Sequence, residues 1–106
     1  MNDLMSARYF DHMVGRLYKI LPLKESAEET LPEYLDGLYT ELAGIERVTS
    51  LSRQPYYVSI VGIVSFLAGN ISTCDIKKVK RDVFRAINLC KKLERIYQGG
   101  DYNAAT

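Results

Sequence analysis

The sequence predicts an all-α fold, a four-helix antiparallel bundle with short loops, and three observations carry that prediction. Apolar residues recur at three- and four-residue spacing along the segments that precede and follow residues 55–74. Pro22, Pro32 and Pro55 stand where helices are expected to begin or end, positions at which a missing amide costs little. Nowhere do apolar and polar residues alternate for more than a few positions, so there is no strand pattern to build a sheet. A chain of 106 residues, 47% apolar and 25% charged, has the size and composition of one globular domain. That domain is predicted over residues 1–98, followed by a flexible tail over 99–106.

The first helix is predicted over residues 3–21. Phe10, Met13, Val14, Leu17, Ile20 and Leu21 gather on one face, while Arg8, Asp11, His12, Arg16 and Lys19 take the other. Pro22 is expected to stop it, and the acidic stretch LKESAEET that follows has no apolar period and reads as a loop.

Thr30 to Glu33 has the pattern of a capping box, with Pro32 in the first turn. The second helix then runs to about Thr49 on Leu31, Leu35, Leu38, Leu42 and Ile45. Gly37 and Gly44, seven residues apart, fit either a close backbone approach or an exposed face, and the exposed face is the simpler reading.

The third helix is predicted to start near Ser52 to Pro55, with Pro55 in its first turn, and to end in a left-handed stop at Gly69-Asn70. A cap at Ser72 or Thr73, with Asp75 in the first turn, then opens the fourth, which runs to Gln98 and ends at Gly99-Gly100. Along it Ile76, Val83, Cys90 and Tyr97 fall at one core position, and Val79, Ala86 and Leu93 at the other.

Two segments stand out for function. Residues 55–74, PYYVSIVGIVSFLAGNISTC, carry no charge at all. A membrane span is not expected there, because the Gly69-Asn70 break leaves about 22 Å of helix against a hydrocarbon core of about 30 Å. A helix apolar nearly all round is expected to be covered nearly all round. In so small a domain, part of that cover is expected from a protein partner, most simply a second copy across a two-fold axis; the competing reading is a core helix of a monomer, packed by the other three helices. The apolar interface candidates are Tyr56, Tyr57, Ser59, Gly62, Ile63 and Phe66; the small residues admit a close backbone and the aromatic ones serve as anchors.

The fourth helix supplies the second candidate surface. Residues 75–98 hold eight Lys or Arg against three Asp or Glu, whereas residues 1–48 hold five against nine, so a formal net charge of +1 hides a strong asymmetry. The basic-face candidates are Lys77, Lys78, Arg81, Phe84, Arg85, Lys91, Lys92 and Arg95. Such a face can be a solvated surface, meet an acidic protein or an anionic membrane, or hold nucleic-acid phosphates.

Catalysis is not expected, and neither a cofactor nor a metal site is predicted. His12 stands alone on a charged face, Cys90 falls at a core position, Cys74 has no histidine near it in sequence, and no glycine-rich phosphate loop is present. The two cysteines, too far apart for a bond if one helix carries both, and the absence of a signal pattern in MNDLMSARYF point to a cytoplasmic setting. The sequence reading is therefore a non-enzymatic protein–protein interaction module, of the size of small helical adaptors, chaperones, inhibitors and immunity-type proteins. It is expected to form a homodimer through the uncharged helix and to have no small-molecule substrate; the alternative is a nucleic-acid-binding protein that uses the basic face.

Overall fold

The computed structural model describes residues 3–98. The predicted all-α bundle forms, from four long helices and one short one: α1 (Asp3–Tyr18), α2 (Ile20–Glu25), α3 (Leu31–Val48), α4 (Pro55–Asn70) and α5 (Ile76–Gln98), with a 3-10 turn at Ser50–Arg53 before α4. α5 packs on both α1 and α4, and α4 packs on α3. Neighbours run antiparallel: Phe10 meets Tyr97 and Tyr18 meets Phe84 across α1 and α5, while Phe66 meets Lys78 and Tyr56 meets Lys92 across α4 and α5.

The core is the union of the apolar stripes. Met13 and Leu17 of α1, Leu35 and Leu42 of α3, Ile60 and Leu67 of α4, and Val83 and Leu93 of α5 are all fully buried. Each such side chain contributes about 1.5–3 kcal/mol by leaving water. Toward one end, the ring of Phe10 stacks on Tyr97 at 5.9 Å and meets Tyr57 edge-on at 5.9 Å.

The seam between α1 and α3 is built differently. No Cα of α1 comes within 8 Å of one in α3, and long polar side chains span the gap. Glu41 on α3 accepts hydrogen bonds from the Tyr9 hydroxyl (2.6 Å) and from Arg16 Nη1 (2.7 Å). Tyr34 donates to the Arg16 carbonyl oxygen at 2.7 Å.

Five local expectations are corrected. The first helix breaks at Lys19, and Pro22 sits inside a second short helix, α2. Pro22 has no amide to offer the Tyr18 carbonyl and its ring crowds that oxygen, so the helix bends three residues before the proline and then resumes. What reads as a loop from Leu23 is therefore partly helix. It closes in a Schellman motif: Glu28 N donates to Leu23 O, Ala27 N donates to Lys24 O, and Ala27 takes the left-handed position at φ 53°.

Thr30 makes no side-chain cap, since its backbone is already helical, so the expected capping box does not form. α4 does not end in a left-handed residue; it passes at Ile71 into a tight turn, in which Thr73 N and Cys74 N both donate to Asn70 O. The residue that caps α5 is Asp75, whose carboxylate accepts from Lys78 N at 2.8 Å. Gly37 and Gly44 have open space where a Cβ would lie, so no backbone approaches them. The predicted stop at Gly99-Gly100 and the tail lie outside the described residues.

Candidate functional site

The uncharged helix and the basic helix are neighbours, and the two candidate surfaces meet in one groove. α4 buries Tyr57, Ile60, Val61, Ile63, Val64 and Leu67. Its outward positions are Ser59, Gly62, Ser65 and Gly69, with Tyr56, Val58 and Phe66 half-exposed at the flanks. The helix needs no charge of its own to meet water because small and polar residues fill that face.

Two of the expected interface residues are corrected by this geometry. Tyr57 is fully buried, with its hydroxyl donating to the Leu42 carbonyl at 2.7 Å. Burial raises its pKa, and it belongs to the core, out of reach of a partner. Ile63 also turns inward and is 7% exposed; it forms part of the groove floor. The sequence pattern spreads these residues around the helix, but packing against α3 and α5 covers the side that carries Tyr57 and Ile63. Tyr56, Ser59, Gly62 and Phe66 remain on the surface.

The basic face divides. Lys78, Arg85 and Lys92, seven residues apart, lean toward α4 and line the groove. Lys77, Arg81, Lys91 and Arg95 are exposed elsewhere around α5. Phe84 turns the other way, meeting Tyr18 of α1 edge-on at 5.9 Å. Lys80, outside the predicted set, reaches Glu25 of α2 at 3.9 Å.

Inside the groove, each flanking aromatic ring of α4 lies under a lysine of α5. Lys78 Nζ is 4.9 Å from the ring centroid of Phe66, and Lys92 Nζ is 5.3 Å from that of Tyr56. Between these rungs Ser59 and Gly62 leave a hollow of about 350 Å³, bounded by Ile63, Phe66, Lys78, Asp82 and Arg85. A second hollow of about 340 Å³ continues it past Asn88 and Leu89 to Lys92.

The residue that sequence reasoning missed is Asp82. It is 2% exposed, yet it carries a carboxylate bonded to Lys78 Nζ at 3.1 Å and facing Arg85 Nη1 at 3.5 Å. The signal was present: Asp82 lies three residues after Val79 and four before Ala86, on the apolar stripe itself. A carboxylate there must be paired to be tolerated, and its two partners are thereby held over the groove.

Elsewhere, Glu41 is held below the usual carboxylate range, chiefly by the hydrogen bond from Arg16. Tyr9 is raised by burial and by its bond to Glu41. Burial pushes the Cys90 thiol up to about 12. His12 is exposed and Cys74 half-buried. Among the described residues, no three His, Cys, Asp or Glu side chains gather as a metal site would require. No helix among them is long and apolar enough to cross a membrane. No protein-family model, curated protein or solved structure matches this chain.

Proposed function

We propose that this chain is a non-enzymatic protein-interaction module, acting in the cytoplasm, whose docking surface is the groove between α4 and α5. One observation carries the reading: two half-exposed aromatic residues, each flanked by a cation, frame a hollow of small residues on a rigid two-helix face. Aromatic and arginine anchors around a recess are what protein interfaces use. Self-association is the simplest sequence expectation, but the Lys78, Arg85 and Lys92 row leaves the groove with a net positive charge. That charge favours a partner that brings carboxylates of its own.

The test is co-purification from native cells. A protein is expected to accompany the wild-type chain, to survive nuclease treatment and a Thr40→Leu change on the exposed side of α3, and to be lost with Gly62→Leu. A partner indifferent to Gly62→Leu docks elsewhere and defeats the proposal. Light scattering across a concentration series covers self-association: a dimer that Gly62→Leu splits makes the occupant a second copy. The alternative reading, nucleic acid on the outer row of α5, is favoured by a nuclease-sensitive companion lost with Arg81→Glu and Lys91→Glu.

A further inference from the structure

We infer that the occupant of the α4/α5 groove is an acidic amphipathic helix of about four turns, with carboxylates seven residues apart and a large apolar side chain near its middle. The inference rests on the docking role proposed for this groove and specifies the chemistry of its ligand. Charge decides the sign: three cations line the groove against the single carboxylate of Asp82, which is already bonded to Lys78 and faces Arg85.

Spacing decides the shape. Lys78, Arg85 and Lys92 recur every seven residues along α5, a repeat of about 10.5 Å, and the row from first to last measures about 21 Å. A helix laid in the groove in either direction repeats its own face at nearly the same interval, so carboxylates at every seventh position meet each cation in turn. An extended strand or an irregular loop does not share that period.

Packing decides the middle. The end rungs are filled by Phe66 with Lys78 and Tyr56 with Lys92, whereas the central rung has only Ser59 and Gly62 beside Arg85. A Cβ built on Gly62 meets no atom within 4 Å. The central hollow of about 350 Å³, floored by Ile63, has room for a large apolar side chain such as leucine or phenylalanine as a knob. Asp82 is the positioning residue: its buried carboxylate holds Lys78 and faces Arg85 on the groove wall, while Arg85 uses one guanidinium nitrogen on it and keeps others for a ligand.

The experiment uses the full chain and a synthetic alanine-based helix of about 17 residues, with glutamate at every seventh position and leucine beside the middle glutamate. Fluorescence anisotropy is expected to show binding that weakens several-fold as salt rises from about 0.05 to about 0.5 M. The same peptide with lysine for glutamate is expected not to bind. Lys92→Glu is expected to weaken binding on the order of tenfold, and Gly62→Leu, which fills the hollow from an exposed position with open space for its Cβ, to abolish it. Circular dichroism of both variants checks that the fold is kept.

Failure of the glutamate peptide to bind the wild-type chain overturns the inference. If the native protein partner still depends on Gly62, the docking role stands while its ligand chemistry is wrong; if no partner does, both fall. A DNA duplex that displaces the peptide and is itself lost on Gly62→Leu overturns the inference in favour of nucleic acid. A dimer that Gly62→Leu splits, in peptide-free protein, overturns it in favour of a second copy.

Discussion

Ala27 carries a backbone conformation that its side chain disfavours. At φ 53° it occupies the left-handed position of the motif that closes α2, where glycine is the usual residue. An L residue with a Cβ costs about 1–2 kcal/mol there, while glycine returns part of that gain through a more flexible unfolded chain. Ala27→Gly is therefore expected to stabilise the protein by about 0.5–1 kcal/mol, read as a higher urea midpoint with an unchanged slope. A lower midpoint would mean that Ala27 makes contacts outweighing the strain. Asp82 shows the opposite arrangement, a residue whose surroundings relieve its cost. Removing the carboxylate releases two cations that can reach water, but removing both cations strands a buried charge, so the pair of lysine and arginine is the more sensitive side.

Helices read well from periodicity, and the places where the reading fails have a common cause. The apolar stripes of α1, α3 and α5 were legible because burial of one face imposes their spacing, and the core positions of Cys90 and Val83 followed directly. The break at Lys19 was not, since Pro22 acts through the carbonyl of Tyr18, four residues upstream. For α4 the sequence showed an uncharged helix but misplaced Tyr57 and Ile63, because which side of an apolar helix is covered depends on its neighbours. The groove itself was not legible at all: Phe66 with Lys78 and Tyr56 with Lys92 are relations between two helices.

The α1–α3 seam, joined by side chains alone, gives an element-scale prediction about pH. Glu41 faces Arg16 and Tyr9, with His12 adding a weaker field, and its folded pKa lies below its unfolded value of about 4.3. The unfolded chain then takes up protons first as pH falls. The stability Glu41 contributes is full above that value and is lost as pH drops through the folded pKa. Tyr9 works at the other end: its pKa is raised, so its contribution is full below about 10 and fades above. The urea midpoint of Glu41→Gln is expected to lie below that of the wild type at neutral pH, with the gap closing below about pH 4. Tyr9→Phe should show its gap closing on the alkaline side. Gaps that stay constant with pH would mean the seam is held by packing and not by these ionised bonds.

At the scale of the whole molecule, α5 is the helix that packs on three others, and Cys90 reports on it. α5 touches α1, α2 and α4, so its core face cannot open without separating three other helices. Cys90 lies on that face with no exposed surface, and burial raises its thiol to about 12, so both access and thiolate formation are blocked in the folded chain. Cys74, in the turn before α5, is half-buried. A thiol reagent in native buffer is therefore expected to give two phases, a fast one from Cys74 and a slow one from Cys90. If the bundle opens only as a unit, the slow phase is suppressed by the global unfolding constant, and its dependence on urea matches the slope of equilibrium unfolding. Cys74→Ser should remove the fast phase and leave the slow one unchanged. A slow phase insensitive to urea would place a local opening beneath α5, and the bundle would then be two cooperative parts instead of one.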